Sequence, residues 1–119
     1  MTKHEEKLEF VARFITEYPQ HGREACVKAA GELLRLAKRR RALALVEVNP
    51  PDPWKRYSVS MAAQMYRDWE ESIVRRREKI LARVAAVCAP FKLTFESQGD
   101  PRGPCIKVLF PSGRVGVPT

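Results

Sequence analysis

The sequence predicts an α+β domain: three helices, the last two long and antiparallel, followed by a small C-terminal antiparallel β-meander. Two observations carry that prediction. Through residue 90 apolar side chains recur at three- and four-residue steps, and after Pro90 the period changes to two. The length of 119 residues suits a single domain that buries roughly two-thirds of the surface its unfolded chain exposes, with 1–90 as the helical part and 91–119 as the sheet.

Thr2-Lys3-His4-Glu5 has the capping-box pattern, hydroxyl and carboxylate each reaching the other's amide. Leu8, Val11, Phe14, Ile15 and Tyr18 then mark one face of an amphipathic helix, closed by Pro19. A second helix begins near Arg23, with Cys26, Ala29, Ala30, Leu33 and Ala37 as its stripe and Leu34 and Leu36 widening it. Ala42–Val48 fits either a continued helix or a short buried strand, because so brief an apolar run has no decisive period. Asn49-Pro50-Pro51-Asp52-Pro53 ends it either way.

The linker from Asn49 to Tyr57 carries Trp54 and Tyr57, and Ser58 or Ser60 can cap a third helix that runs to about Ala89. Tyr66, Ile73, Ile80 and Val87 recur every seven residues, joined by Met65, Trp69 and Val84. On that pattern Trp69 belongs to the core, and truncating it to Ala would cost ~3–5 kcal/mol. Beyond Pro90, Phe91, Leu93 and Phe95 alternate with polar residues, and Ile106, Val108 and Phe110 do the same. Asp100-Pro-Arg-Gly103 fits a type I turn, Phe110-Pro-Ser-Gly113 repeats the Pro and Gly placement, and Arg114–Val117 adds a third strand.

Several chemistries are excluded at this level. No apolar run approaches the ~18 residues of a bilayer span, and the charged N-terminus has no secretory h-region, so a cytoplasmic protein is expected. Cys26, Cys88 and Cys105 are unclustered, which points to core thiols in a reducing compartment and to no bound metal or other cofactor. His4 and His21 lie in no triad or ligand spacing. Lys107 lacks the acidic residue two positions earlier that a metal-dependent nuclease would use. The expectation is a non-enzyme.

The charge is the informative feature. The chain carries 22 Lys+Arg against 14 Asp+Glu, net +8, with +4 of it in residues 21–49. Lys38-Arg39-Arg40-Arg41 and Arg75-Arg76-Arg77 are concentrated runs. A close hairpin of helices two and three would offset them by ~12 Å, near one Debye length, so they would act as one field. Arginine makes the bidentate contacts that phosphate favours. The alternative is a solvated helical face, with Glu71–Arg75 an (i, i+4) pair. Arg76, seven residues after Trp69, is placed to stack on that indole or on a partner. Arg102 and Arg114 sit in glycine-containing turns whose amides could cradle an anion, or could serve turn geometry alone.

The run Gly99-Asp-Pro-Arg-Gly103, Ile106-Lys-Val108, Pro111-Ser-Gly-Arg114 and Gly116-Val-Pro118 resembles the C-terminal hairpin of small tailed-phage and prophage proteins of unassigned function. That resemblance implies a phage or prophage origin and a bacterial cytoplasm. It implies no activity.

Together these readings point to a basic, phage-type accessory protein that binds nucleic acid through phosphate contacts. Lys38–Arg41 and Arg75–Arg77 would supply the field, Trp54 or Tyr57 a stacking group, and Arg102 and Arg114 further contacts. The rival is a protein–protein inhibitor of a host system, an anti-CRISPR or other anti-defence factor, docking the same arginines on an acidic host protein surface. Oligomeric state, base preference and the choice of DNA or RNA are left open by the sequence.

Overall fold

Thr2 opens the first helix as its capping box requires: its hydroxyl accepts from the Glu5 amide at 3.2 Å, and its own amide donates to the Glu5 carboxylate at 3.1 Å. The structure, a computed structural model, describes residues 2–116 and 118. Helix α1 spans Lys3–Glu17, α2 spans Arg23–Glu47 and α3 spans Val59–Cys88. The Ser58 hydroxyl caps α3 by accepting from the Met61 amide at 3.4 Å. A meander follows, with β1 at Thr94–Ser97, β2 at Ile106–Leu109 and β3 at Val115–Gly116 in the order β1-β2-β3, both pairs antiparallel. The α+β class predicted from the periods is the fold observed.

Three local readings change. Ala42–Val48, open between helix and strand, is helical through Glu47. Phe91 and Leu93 precede the first strand: Pro90 leads into a 3-10 turn over Ala89–Phe91, Lys92 adopts a left-handed φ of 51°, and the Leu93 amide donates back to Cys88 O. Burial still follows the alternation there, because Phe91 and Leu93 are both buried. The last strand is Val115–Gly116, and Val117 lies outside the described residues.

Phe14 is fully buried at the centre of an aromatic cluster with Phe10, Tyr18, Phe91 and Phe110. Leu33, Leu36 and Leu43 from α2, Ile80 and Val84 from α3, and Ile106 and Val108 from β2 complete one core. Gly116 lets β3 lie flat on it, since a Cβ there would collide with the Phe110 ring and stand 3.0 Å from that of Phe10. Arg13 ties α1 to β3 by donating to Val115 O at 2.8 Å.

The register of α2 against α3 differs most from expectation. A close hairpin would pair the end of α2 with the start of α3. Instead Glu47, the last residue of α2, lies beside Trp69, Glu70, Ile73, Val74 and Arg77, near the middle of α3. Residues 48–58 run back along α3 to reach its beginning, and Pro53 and Ala62 are buried where the two segments meet. Residues 59–68 of α3 therefore extend about 15 Å past the end of α2 as an arm, and the linker packs against them. Between Ala62 and Ile73 no residue of α3 is buried. Trp69, expected in the core, is half-buried at the arm's base beside Tyr66, 5.5 Å away between ring centroids. The arm lengthens the molecule to 59 × 30 × 22 Å with a radius of gyration of 17.6 Å, against about 13.5 Å for a compact chain of this length.

Candidate anion-binding face

The two arginine runs divide into residues turned inward and residues turned out. Arg40 lies four residues after Leu36 and seven after Leu33, on the buried stripe of α2, and is only 3% exposed. Its charge is compensated: Nη1 donates to Glu47 Oε1 at 3.0 Å and Nε to Ser97 Oγ at 3.3 Å. Arg77, four residues after Ile73 on the buried stripe of α3, reaches the same Glu47 oxygen at 2.9 Å. Arg41 donates to Gly103 O in the β1–β2 loop at 2.9 Å. Gly99 of that loop sits so close that a Cβ would stand 3.3 Å from Arg40 Nη2 and 3.4 Å from Glu47 Oε2. Arg40, Arg41, Glu47 and Arg77 form a clasp holding the sheet loop on the helices. This corrects the expectation that Arg40 faces a partner, while Arg41 and Arg77 are half-buried and engaged within the fold. A buried guanidinium paired with a carboxylate is bound to that carboxylate because breaking the pair would strand a charge.

The outward cations align along the opposite seam between α2 and α3. Glu32 fixes that seam, accepting from Arg35 Nε on its own helix at 3.1 Å and pairing with Arg83 Nε of α3 at 3.5 Å. Seven residues on from Glu32 stands Arg39, and seven back from Arg83 stands Arg76. In an antiparallel pair both steps run the same way by about 10.5 Å, so Arg39 and Arg76 face each other across the seam. Arg35 and Lys79 stand on the intervening turns. All five cations are exposed, and Glu32 is the one carboxylate on those steps. Its carboxyl is held below its ordinary range, chiefly by the hydrogen bond from Arg35 and further by Arg83. Lys38 and Arg75 are exposed but rotated about 100° off the seam.

Arg35, Lys79 and Arg83 escape a reading that looks for consecutive basic residues. Stepping by four from Arg39 and by three and seven from Arg76 would have found them. Arg76 is exposed, and the ring beside Trp69 is that of Tyr66. Trp54 and Tyr57 are exposed on the arm, away from the seam: Tyr57 borders a shallow groove with Met65, about 16 Å along α3 from Arg76. Arg102 and Arg114 are exposed at turn tips. Their amides are used within the turns, donating to Asp100 Oδ1 at 2.9 Å and Ser112 Oγ at 3.4 Å.

Among the described residues no three His, Cys, Asp or Glu side chains gather as metal ligands, and no helix is long and apolar enough to cross a membrane. Comparison with family models, with curated proteins and with solved structures finds no significant match.

Proposed function

We propose that the protein binds nucleic acid through phosphate contacts along the α2–α3 seam. The observation that carries this reading is the alignment of Arg35, Arg39, Arg76, Lys79 and Arg83 against a single carboxylate. Spacings of about 4–10 Å along the helices place these charges within roughly one Debye length of each other. They add into one field, and each phosphate neutralised releases a condensed counterion. Contacts of this kind position a protein on a backbone without reading bases, so affinity should vary little with sequence. The resemblance of the C-terminal turns to tailed-phage proteins suggests a bacterial cytoplasm as the setting.

The test is the salt dependence of binding to random duplexes and single strands. Arg39→Ala with Arg76→Ala leaves the clasp untouched and should reduce the slope of log K against log salt by up to about 2. If wild type binds neither probe more tightly than the ~10⁻⁴ M of weak non-specific association, the nucleic-acid reading falls. The seam then belongs to an acidic protein surface, as an inhibitor of a host system would use it.

A further inference from the structure

The geometry points to a discrete binding position for one phosphoryl group, held between Arg39 of α2 and Arg76 of α3. The inference rests on the seam reading and deepens it, naming where the seam grips its first phosphate.

The protein carries its own template for such a position. Glu32 Oε2 accepts from Arg35 Nε at 3.1 Å, and its other oxygen stands 3.5 Å from Arg83 Nε across the seam. One oxyanion thus bridges a guanidinium from each helix, so the seam at that level is about one anion wide. One seven-residue step along the pair, about 10.5 Å away, the same two edges present Arg39 and Arg76. On α2 the place of the carboxylate is taken by a second guanidinium. Two cations face each other there with no acid between them.

Neither arginine has a local means of neutralising its charge. Counting three or four residues either way from Arg39 meets no carboxylate, and the same count from Arg76 meets none. The helix-surface pairing that Glu9 gives Arg13, and Glu32 gives Arg35, is therefore closed to both. Among the described residues neither forms an ion pair, and both are exposed.

The donors select the occupant. Two facing guanidiniums repel unless an anion separates them, and a phosphoryl group offers oxygens to both forks at once. Lys79 and Arg35 add further charge about 4–6 Å away along their helices. A strand whose phosphate enters the fork can hand its next phosphate to Lys79. The neighbouring position, between Arg35 and Arg83, is already filled by Glu32.

The experiment titrates the purified chain with inorganic phosphate at constant ionic strength, followed through the arginine Nε–Hε signals in proton–nitrogen correlation spectra. Expected is saturable movement of Arg39 and Arg76 with one shared midpoint, while exposed Arg67 and Arg102 stay still. Arg35 and Arg83 should respond little in wild type and should begin to respond in Glu32→Gln. Arg39→Lys keeps the charge but loses the fork, and should weaken phosphate binding at least about tenfold. Acetate, with fewer oxygens and less charge, should bind wild type at least about tenfold more weakly. A random single strand added to the phosphate-loaded protein should displace the phosphate. Equal, unsaturable movement of every exposed arginine overturns the site, since that is screening alone. So does phosphate affinity unchanged in Arg39→Lys, acetate that binds as well as phosphate, or Arg35 and Arg83 that stay silent in Glu32→Gln. A strand that binds with clear salt dependence and leaves Arg39 and Arg76 undisturbed overturns the fork while the nucleic-acid reading stands. Phosphate seated in the fork of a protein that binds no strand does the reverse.

Discussion

The two halves of α3 carry the same kind of sequence and have different fates. From Ile73 to Cys88 the helix buries Ile73, Ile80, Val84 and Cys88 against its neighbours. From Val59 to Ser72 it buries Ala62 alone, though Met65, Tyr66 and Trp69 continue the apolar spacing. The difference lies in the partner, since α2 ends at Glu47 beside the middle of α3. An apolar stripe states which face would be buried if something lay against it. It carries no information about where that neighbour stops.

The largest expected effect contrasts the halves directly. Phe14→Ala empties the centre of an aromatic cluster and should cost about 3–5 kcal/mol, whereas Met61→Ala on the arm should stay within about 0.5 kcal/mol. Denaturant titrations of both in dilute solution check this. Comparable losses would mean that the arm is packed as tightly as the body.

Arg39 and Arg40 repeat the contrast at adjacent positions. Arg40→Ala should cost about 3 kcal/mol, the lower end for breaking a buried pair, because Arg77 still holds Glu47. It should also loosen the β1–β2 loop, read as faster amide exchange around Ser97–Cys105. Arg39→Ala should change stability by no more than about 0.5 kcal/mol and act on anion binding instead. Equal stability effects would dissolve the distinction between clasp and seam.

Much of this architecture was legible in the residues. Thr2 and Glu5 declared the first cap, Asp100 to Gly103 declared the hairpin turn, and the period change at Pro90 separated helices from sheet. The inward turn of Arg40 was legible too, because it falls on the Leu33–Leu36–Ala37 stripe, but four consecutive cations read more readily as a surface run. The α2–α3 register was not legible. An eleven-residue linker that folds back along α3 and one that crosses directly look alike in sequence, and Trp69 moved from core to margin with that choice.

Burial in the body also has a titration consequence that the arm lacks. It pushes the Cys88 thiol up to about 11, against ~8.5 for an unfolded cysteine. As pH rises the unfolded chain releases this proton first, so the folded state binds more protons and stability falls between those two values. The contribution should be on the order of 2 kcal/mol by the upper end. Tyr18 shares the sign, its hydroxyl raised mainly by burial. The measurement is therefore the difference between wild type and Cys88→Ala across that window. A difference that does not change with pH would show that the thiol is already open to solvent. Trp69→Ala, at the junction of the two halves, should cost about 1–2 kcal/mol. A loss of about 3 kcal/mol or more, the range for a buried aromatic, would restore it to the core.

The smallest expected change tests the seam against the clasp through its one carboxylate. Glu32 accepts from Arg35 and pairs with Arg83, as Glu47 does for Arg40 and Arg77, but in solvent. Exposed pairs contribute little to stability, so Glu32→Gln should leave the melting temperature nearly unchanged. Removing the charge that compensates buried Arg40, as in Glu47→Gln, should lower it clearly. For binding the signs separate further. Glu32 occupies donors on two of the five seam cations and subtracts one charge from their field. Glu32→Gln should then tighten binding to a random duplex and steepen the salt slope by up to about 1 per additional phosphate engaged. The comparison needs only a titration of both proteins at several salt concentrations. Unchanged affinity would remove Arg35 and Arg83 from the contact surface. Weaker binding would mean that the carboxylate's positioning of the two guanidiniums outweighs its charge, making Glu32 part of the site and not a brake on it.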